Sequence, residues 1–175
     1  MDELLQGVPV RSGGRNRVLT DAERGRVVAE ARLWAGTPYH HKAGIMGVAC
    51  DCAYLLLVSY AGAGLIAAFT PESYTRDWHL HRGEEKYLFV VERYARAVDG
   101  DETPIQERDQ SFKVASADIL MFRHGRTYSH AAIVTEWPYI IHAYAQAGIV
   151  VEQDVRNTVM SHKDCLVYSY CGEEA

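Results

Sequence analysis

The hydrophobic pattern of the chain changes period once, near residue 100. Before it, apolar residues recur at helical spacing; after it, apolar and polar residues alternate with the period of a strand. Thr20-Asp21-Ala22-Glu23 has the form of a capping box. Val27, Ala31 and Trp34 follow on one face, so a first helix is predicted over roughly residues 21–35. Gly36 stops it, and Pro38 keeps it from resuming. A second helix is predicted from Asp51, fading by Gly62 or Gly64. Thr70 to His81 is irregular and aromatic. A third helix is predicted over roughly 84–98, with Leu88, Val91, Ala95 and Val98 on one face.

Strands are predicted at Asp118–Phe122, His130–Glu136, Tyr139–Tyr144, Gly148–Asp154 and Leu166–Tyr170, with turns at Trp137-Pro138 and Gly148. Helices first and consecutive antiparallel strands after make an α+β layout. Residues 1–19 carry no period, and Arg11-Ser12-Gly13-Gly14-Arg15-Asn16-Arg17 is polar and glycine-rich. They read as a flexible N-terminal arm, which leaves 20–175 as a single domain.

Composition narrows the function classes. Apolar residues make up 48% of the 175 and charged residues 23%, which is globular rather than disordered. A net charge of −5 with no basic cluster argues against a nucleic-acid protein and against a cationic membrane-surface helix. Cys52 to Pro71 is uncharged and long enough to span a bilayer. Gly62, Gly64, Ser59, two tyrosines and the lack of flanking basic residues favour a buried helix and an apolar loop instead. Met1-Asp2-Glu3 begins no secretory signal, so synthesis in the cytoplasm and free thiols at Cys50, Cys52, Cys165 and Cys171 are expected. Those four lack the paired spacing of a zinc site, and no phosphate-cradling glycine loop is present, so no metal and no cofactor is expected.

The candidate chemistry centres on Gly47-Val48-Ala49-Cys50-Asp51-Cys52-Ala53-Tyr54. Cys52 falls at the first turn of the second helix, where unpaired N–H groups and the helix dipole favour a thiolate. Cys52 is the candidate nucleophile. A nucleophile needs a base, and the base needs an orienting partner. His130 opens one predicted strand and His142 lies on the next, twelve positions on. A turn at Trp137-Pro138 brings neighbouring strands within side-chain reach. His142 can then orient His130, and His130 can face Cys52. Cys50 reads as a packing residue, with a Cys50–Cys52 redox pair as the alternative, and Cys165 and Cys171 read as core or edge residues. His40, His41, His79, His81, His124 and His162 read as loop or surface residues; Tyr139, Tyr144, Tyr168 and Tyr170 read mostly as core.

Gly36-Thr37-Pro38-Tyr39, then Asp51-Cys52 entering a helix, then Ser129-His130 and Ile141-His142-Ala143 on successive strands, resemble the NlpC-type cell-wall cysteine peptidases. The likeness runs from about residue 30 to about 170. The strings Gly36-Thr37-Pro38-Tyr39-His40-His41, Tyr74-Thr75-Arg76-Asp77-Trp78, Asp118-Ile119-Leu120-Met121-Phe122-Arg123 and His142-Ala143-Tyr144 are most similar to the phage-associated branch. The resemblance implies a papain-like fold, with N-terminal helices packed on a C-terminal antiparallel sheet or half-barrel. It implies hydrolysis of peptidoglycan stem peptides between D-glutamate and a diamino acid, and phage tail proteins as partners. It gives Cys52 the role of nucleophile, His130 that of base and His142 the orienting position. Tyr39 matches a tyrosine that helps bind the oxyanion, and Asp51 the acidic residue before the nucleophile. Two positions depart from the pattern. Ala53-Tyr54 replaces a small pair after the cysteine, so Tyr54 either narrows the substrate groove or packs inward. Ala117 replaces a glycine before Asp118. The alternatives are a non-catalytic tail-assembly or binding protein on the same fold, and an acyltransferase or amidase.

Overall fold

The computed structural model describes residues 17–67, 85–109 and 112–171. The irregular aromatic stretch Thr70–His81, with His79 and His81, and the start of the third predicted helix lie outside the described residues. So do residues 1–16 of the arm. Residues 17–19 are docked: the Arg17 N–H donates to the Cys171 carbonyl at 3.1 Å, and Leu19 is buried.

Helix α1 spans Asp21–Arg32. The Thr20 hydroxyl accepts from the Glu23 N–H, and the Glu23 carboxylate reaches back to the Thr20 N–H, so the capping box is complete. The helix ends three residues short of its predicted limit. Gly36 then takes φ +80°, and its N–H donates to the Val150 carbonyl at 2.8 Å. A small hairpin, β1 (Gly44–Ile45) and β2 (Ala49–Cys50), leads into α2 (Cys52–Gly62). Among the described residues no helix is long and apolar enough to cross a membrane.

The third helix, α3, covers only Lys86–Glu92. The chain turns at Arg93 and Tyr94, and Ala95–Ala97 forms strand β3. Sequence pattern alone misassigns this stretch, because Val91 and Ala95 are both buried at helical spacing while belonging to different elements. Pairing decides it: Ala95 lies opposite Tyr170 and Ala97 opposite Tyr168 on the last strand. Strands β4 (Ile119–His124), β5 (Thr127–Glu136), β6 (Tyr139–Tyr144), β7 (Ile149–Asp154) and β8 (Cys165–Tyr170) fall on the five predicted stretches, with β5 starting three residues earlier than expected and β4 running two residues further. The six-stranded antiparallel sheet has the order β3-β8-β4-β5-β6-β7.

Alternation sorts the sheet into two faces. Met121, Ala131, Ile133, Ile141 and Ala143 pack with Val27, Ala31, Leu55, Leu56 and Tyr60 of α1 and α2. Leu120, Phe122, Ala132, Val134 and Ile140 form the other face, covered by Ile105, Val155 and Met160 from short 3₁₀ turns. His130 and His142 fall in register with this second face. Tyr139, expected in the core, is half exposed at 49% because it begins its strand at the hairpin end.

Ala117 adopts φ +63°, the left-handed conformation that glycine takes freely. Its N–H donates to the Val134 carbonyl at 2.7 Å, and the Tyr60 hydroxyl donates to its carbonyl. Asp118 closes the turn by accepting from the Ala115 N–H at 2.8 Å, and it pairs with Arg24 of α1 at 2.9 Å.

Tyr54 packs against the helix-side core and covers Gly44 of β1. A Cβ at Gly44 would stand 3.0 Å from Tyr54 Cγ and closer still to Cδ1. Gly44→Ala is therefore expected to destabilise the fold by about 1–3 kcal/mol, read from urea titration. In a double-mutant cycle, adding Tyr54→Ala removes the two closest ring contacts and leaves only the Cβ at 3.2 Å, so the pair loses less than the sum of its two members.

Candidate active site

The site is built where the mouth of α2 meets β5. Asp51 caps the helix in extended backbone, and its Oδ1 accepts the Tyr54 N–H at 3.0 Å. Its Oδ2 accepts the Lys42 N–H at 2.7 Å, with His41 Nδ1 at 3.8 Å. Asp51 is 2% exposed, so both oxygens serve the loop and the helix start. Tyr39 is half-buried on the neighbouring segment. Its N–H donates to the Gly148 carbonyl at 2.7 Å, and it bridges to Cys50 two residues before Cys52.

The Cys52 sulfur lies against the β5 backbone on both sides of His130. It stands 4.0 Å from the Ser129 carbonyl oxygen and accepts from the Ala131 N–H. The pairing of β5 with β6 begins beyond this point, at Ile133 opposite Ile141. Tyr87 of α3 anchors the residue from behind, its hydroxyl donating to the Cys52 carbonyl at 3.1 Å. Cys50, Cys165 and Cys171 are buried, whereas Cys52 is partly exposed.

His130 Nε2 is 2.7 Å from His142 Nδ1. The β5–β6 register offsets the two residues by two positions, so the rings meet on a cross-strand diagonal rather than head-on. Three further groups surround them. Tyr144 stacks on His142 at 5.0 Å between ring centres, with 11° between planes. His124 closes β4 with its ring centre 5.6 Å from that of His130 in an edge-on arrangement, so it belongs to this cluster and not to a surface turn. Gln153 of β7 places its carboxamide 2.9 Å from His142 Nε2. A polar residue in a strand opposite the histidine strand was the available signal for Gln153. Among the described residues, no group of three or more His, Cys, Asp or Glu side chains is arranged to hold a metal ion.

No protein-family model matches the sequence, and no curated protein is similar to it by sequence. Solved structures are similar in shape. NlpC1 from Trichomonas vaginalis superposes with a TM-score of 0.58 at 13% identity, over 92% of this chain and 48% of its own. The fold is that of the NlpC/p60 proteins. RipB, a peptidoglycan hydrolase from Mycobacterium tuberculosis, gives 0.51 at 16% identity over 89% of this chain and 70% of its own. The NlpC/p60 domain of the peptidoglycan hydrolase SagA gives 0.50 at 17%, over 82% and 97%. The chain spans about half the length of NlpC1 and of NlpC2 from the same protist.

In this NlpC/p60 fold the electrostatics differ from the sequence expectation of a thiolate. The N–H groups of Ala131, Cys52 and Ala53 do face the sulfur and favour its ionisation. Burial, with the Asp51 carboxylate second, outweighs them and pushes the thiol up to about 12. Burial also holds His130 well below the usual histidine range, helped by His142 and His124. His142 is lowered to about 4, by burial first and His124 second. Thiol and imidazoles are thus neutral at pH 7.

A stability signature follows. Between pH 6.5 and about 4 the unfolded chain binds a proton at residue 142 that the folded chain refuses. Stability is full above pH 6.5 and falls as pH drops through this window, by about 3 kcal/mol for His142. His130, shifted in the same direction, adds to the loss. Urea titrations at pH 7 and pH 4.5 read the slope, and His142→Asn flattens it. An unchanged slope in that variant would remove His142 from this account.

Proposed function

We propose that the chain is a cysteine peptidase of bacterial cell-wall peptidoglycan, with Cys52 as nucleophile, His130 as general base and acid, and His142 orienting His130. One observation carries the reading. The His130 and His142 imidazoles bond at 2.7 Å across β5 and β6, and the β5 backbone meets the Cys52 sulfur on either side of His130. Two proteins sharing the fold, RipB and the SagA domain, are peptidoglycan hydrolases, and the motif resemblance supports the same substrate class. The bond we assign is that between D-glutamate and the diamino acid of the stem peptide. The resemblance to the phage-associated branch supports a phage tail, or a phage-like particle, as the working location.

The chemistry runs as follows. With Nε2 bonded to His142, Nδ1 is the ring nitrogen His130 has left for Cys52. Because the thiol and the imidazole are both neutral at rest, the proton passes to Nδ1 as the sulfur attacks the amide carbonyl, not before. The carbonyl oxygen takes up the negative charge. The Cys52 N–H at the helix mouth and the Tyr39 hydroxyl receive it, each such donor contributing roughly 3–4 kcal/mol. The imidazolium returns its proton to the leaving amine, the C–N bond breaks, and a thioester remains. Water deprotonated by His130 then releases the acid and restores the thiol.

The test uses purified peptidoglycan, with amine release and product masses as readouts. The wild-type chain is expected to liberate new amino groups, and Cys52→Ala to fall to background with an unchanged circular dichroism spectrum. His130→Ala is expected to lose about 10²–10⁴-fold in rate. A folded wild-type chain with no turnover would replace this reading with a binding domain. Products joined to an acceptor other than water would make it an acyltransferase.

A further inference from the structure

We propose that Gln153 is a positioning residue: its carboxamide oxygen, turned to His142 Nε2, sets which nitrogen carries the proton on both imidazoles. The inference rests on His130 acting as the base of Cys52. Gln153 lies opposite Ile140 in the β6–β7 pairing, two residues along β7 from Val151, the partner of His142. That places it diagonal to His142, with its amide nitrogen 2.9 Å from His142 Nε2. A half-turn of the terminal amide exchanges its nitrogen and oxygen without moving the rest of the side chain.

The two orientations dictate opposite proton patterns. With the amide nitrogen inward, it donates to His142 Nε2. His142 must then carry its proton on Nδ1 and donate to His130 Nε2. A neutral His130 is left with its proton on Nδ1, and it presents no lone pair to the thiol. With the amide oxygen inward, every bond reverses. His142 donates from Nε2 to Gln153, and its Nδ1 accepts from His130 Nε2–H. His130 Nδ1 is then bare. When it takes the Cys52 proton, the bond from His130 Nε2–H to His142 stays as it was, so no second proton has to move. Only this second pattern makes a base.

Among the described residues, no carboxylate competes for the choice. His130 is faced by His142 and Tyr144 of β6 and by His124 of β4, and the Cys52 sulfur meets the β5 backbone at Ser129 and Ala131 on either side of it. His142 is faced by His130, Tyr144 and Gln153, and His124 also acts on it electrostatically. No carboxylate is among the groups that shift either imidazole. The neutral amide is thus the group that breaks the tie.

The experiment measures imidazole ¹⁵N shifts of the full chain at pH 7, with iodoacetamide alkylation of Cys52 followed against pH. Neither needs substrate, so a chain that leaves peptidoglycan uncut for another reason still gives an answer on Gln153. In the wild type, both rings are expected to be protonated on Nε2. Gln153→Glu supplies an acceptor only; it keeps that pattern and moves the alkylation profile to lower pH. Gln153→Leu mixes the tautomers and slows Cys52 alkylation at pH 7 by about tenfold or more, part of what a positioned base contributes. A wild-type His142 protonated on Nδ1 would overturn the proposal even if no variant folds. So would a folded Gln153→Leu chain with wild-type shifts and alkylation.

Discussion

The placement of one sulfur depends on one buried carboxylate. Asp51 holds the first turn of α2 through the Tyr54 N–H and the preceding loop through the Lys42 N–H. Moving either segment would leave a charged group, 2% exposed, without its partners, and that cost is several times an ordinary hydrogen bond. The segment ahead is tied in the same way. Cys50 exchanges backbone bonds with Pro38 and His40, and Tyr39 and Gly36 bond on to β7 and its turn. Helix mouth, loop and sheet are therefore one rigid unit, and Cys52 has little freedom to leave β5.

The same carboxylate opposes the ionisation of the thiol it positions. Three N–H groups favour a thiolate, yet burial and Asp51 together hold the proton on sulfur. Burial does the converse to the imidazoles and keeps them uncharged. The site therefore stores no ion pair at rest. On the proposed chemistry, charge separates only while a substrate carbonyl is being attacked, when the growing oxyanion meets fixed donors. Preorganised dipoles contribute most under that condition, because they cost no rearrangement during the reaction.

Much of this was legible in the residues. The capping box, the cysteine at a helix mouth and the period-two strands are local signals, and local chemistry decides them. The histidine pair was legible because a hairpin converts sequence spacing into cross-strand proximity. What stayed hidden was set by distant partners. Ala95–Ala97 satisfies a helical pattern and becomes a strand only because the edge of β8 is there to receive it. His124 and Gln153 come to the histidines from β4 and β7, strands on opposite sides of the β5–β6 hairpin. The neutral thiol was hidden for a related reason. A helix mouth is visible in sequence, but the depth of burial around it is not.

Ala117 shows why the fold persists where the motifs thin out. A glycine would take the left-handed turn before β4 freely, whereas an alanine there costs about 1–2 kcal/mol. The backbone keeps the conformation nonetheless, at φ +63°. Val134, Tyr60 and Arg24 hold the turn from β5, α2 and α1, by bonds to Ala117, Ser116 and Asp118. None of these three is adjacent to it in sequence. The conformation is thus a property of the packed helices and sheet, and the local residue only adjusts its cost. A fold held by such distant contacts can keep its shape at 13–17% identity, since each contact tolerates substitution at the position it constrains.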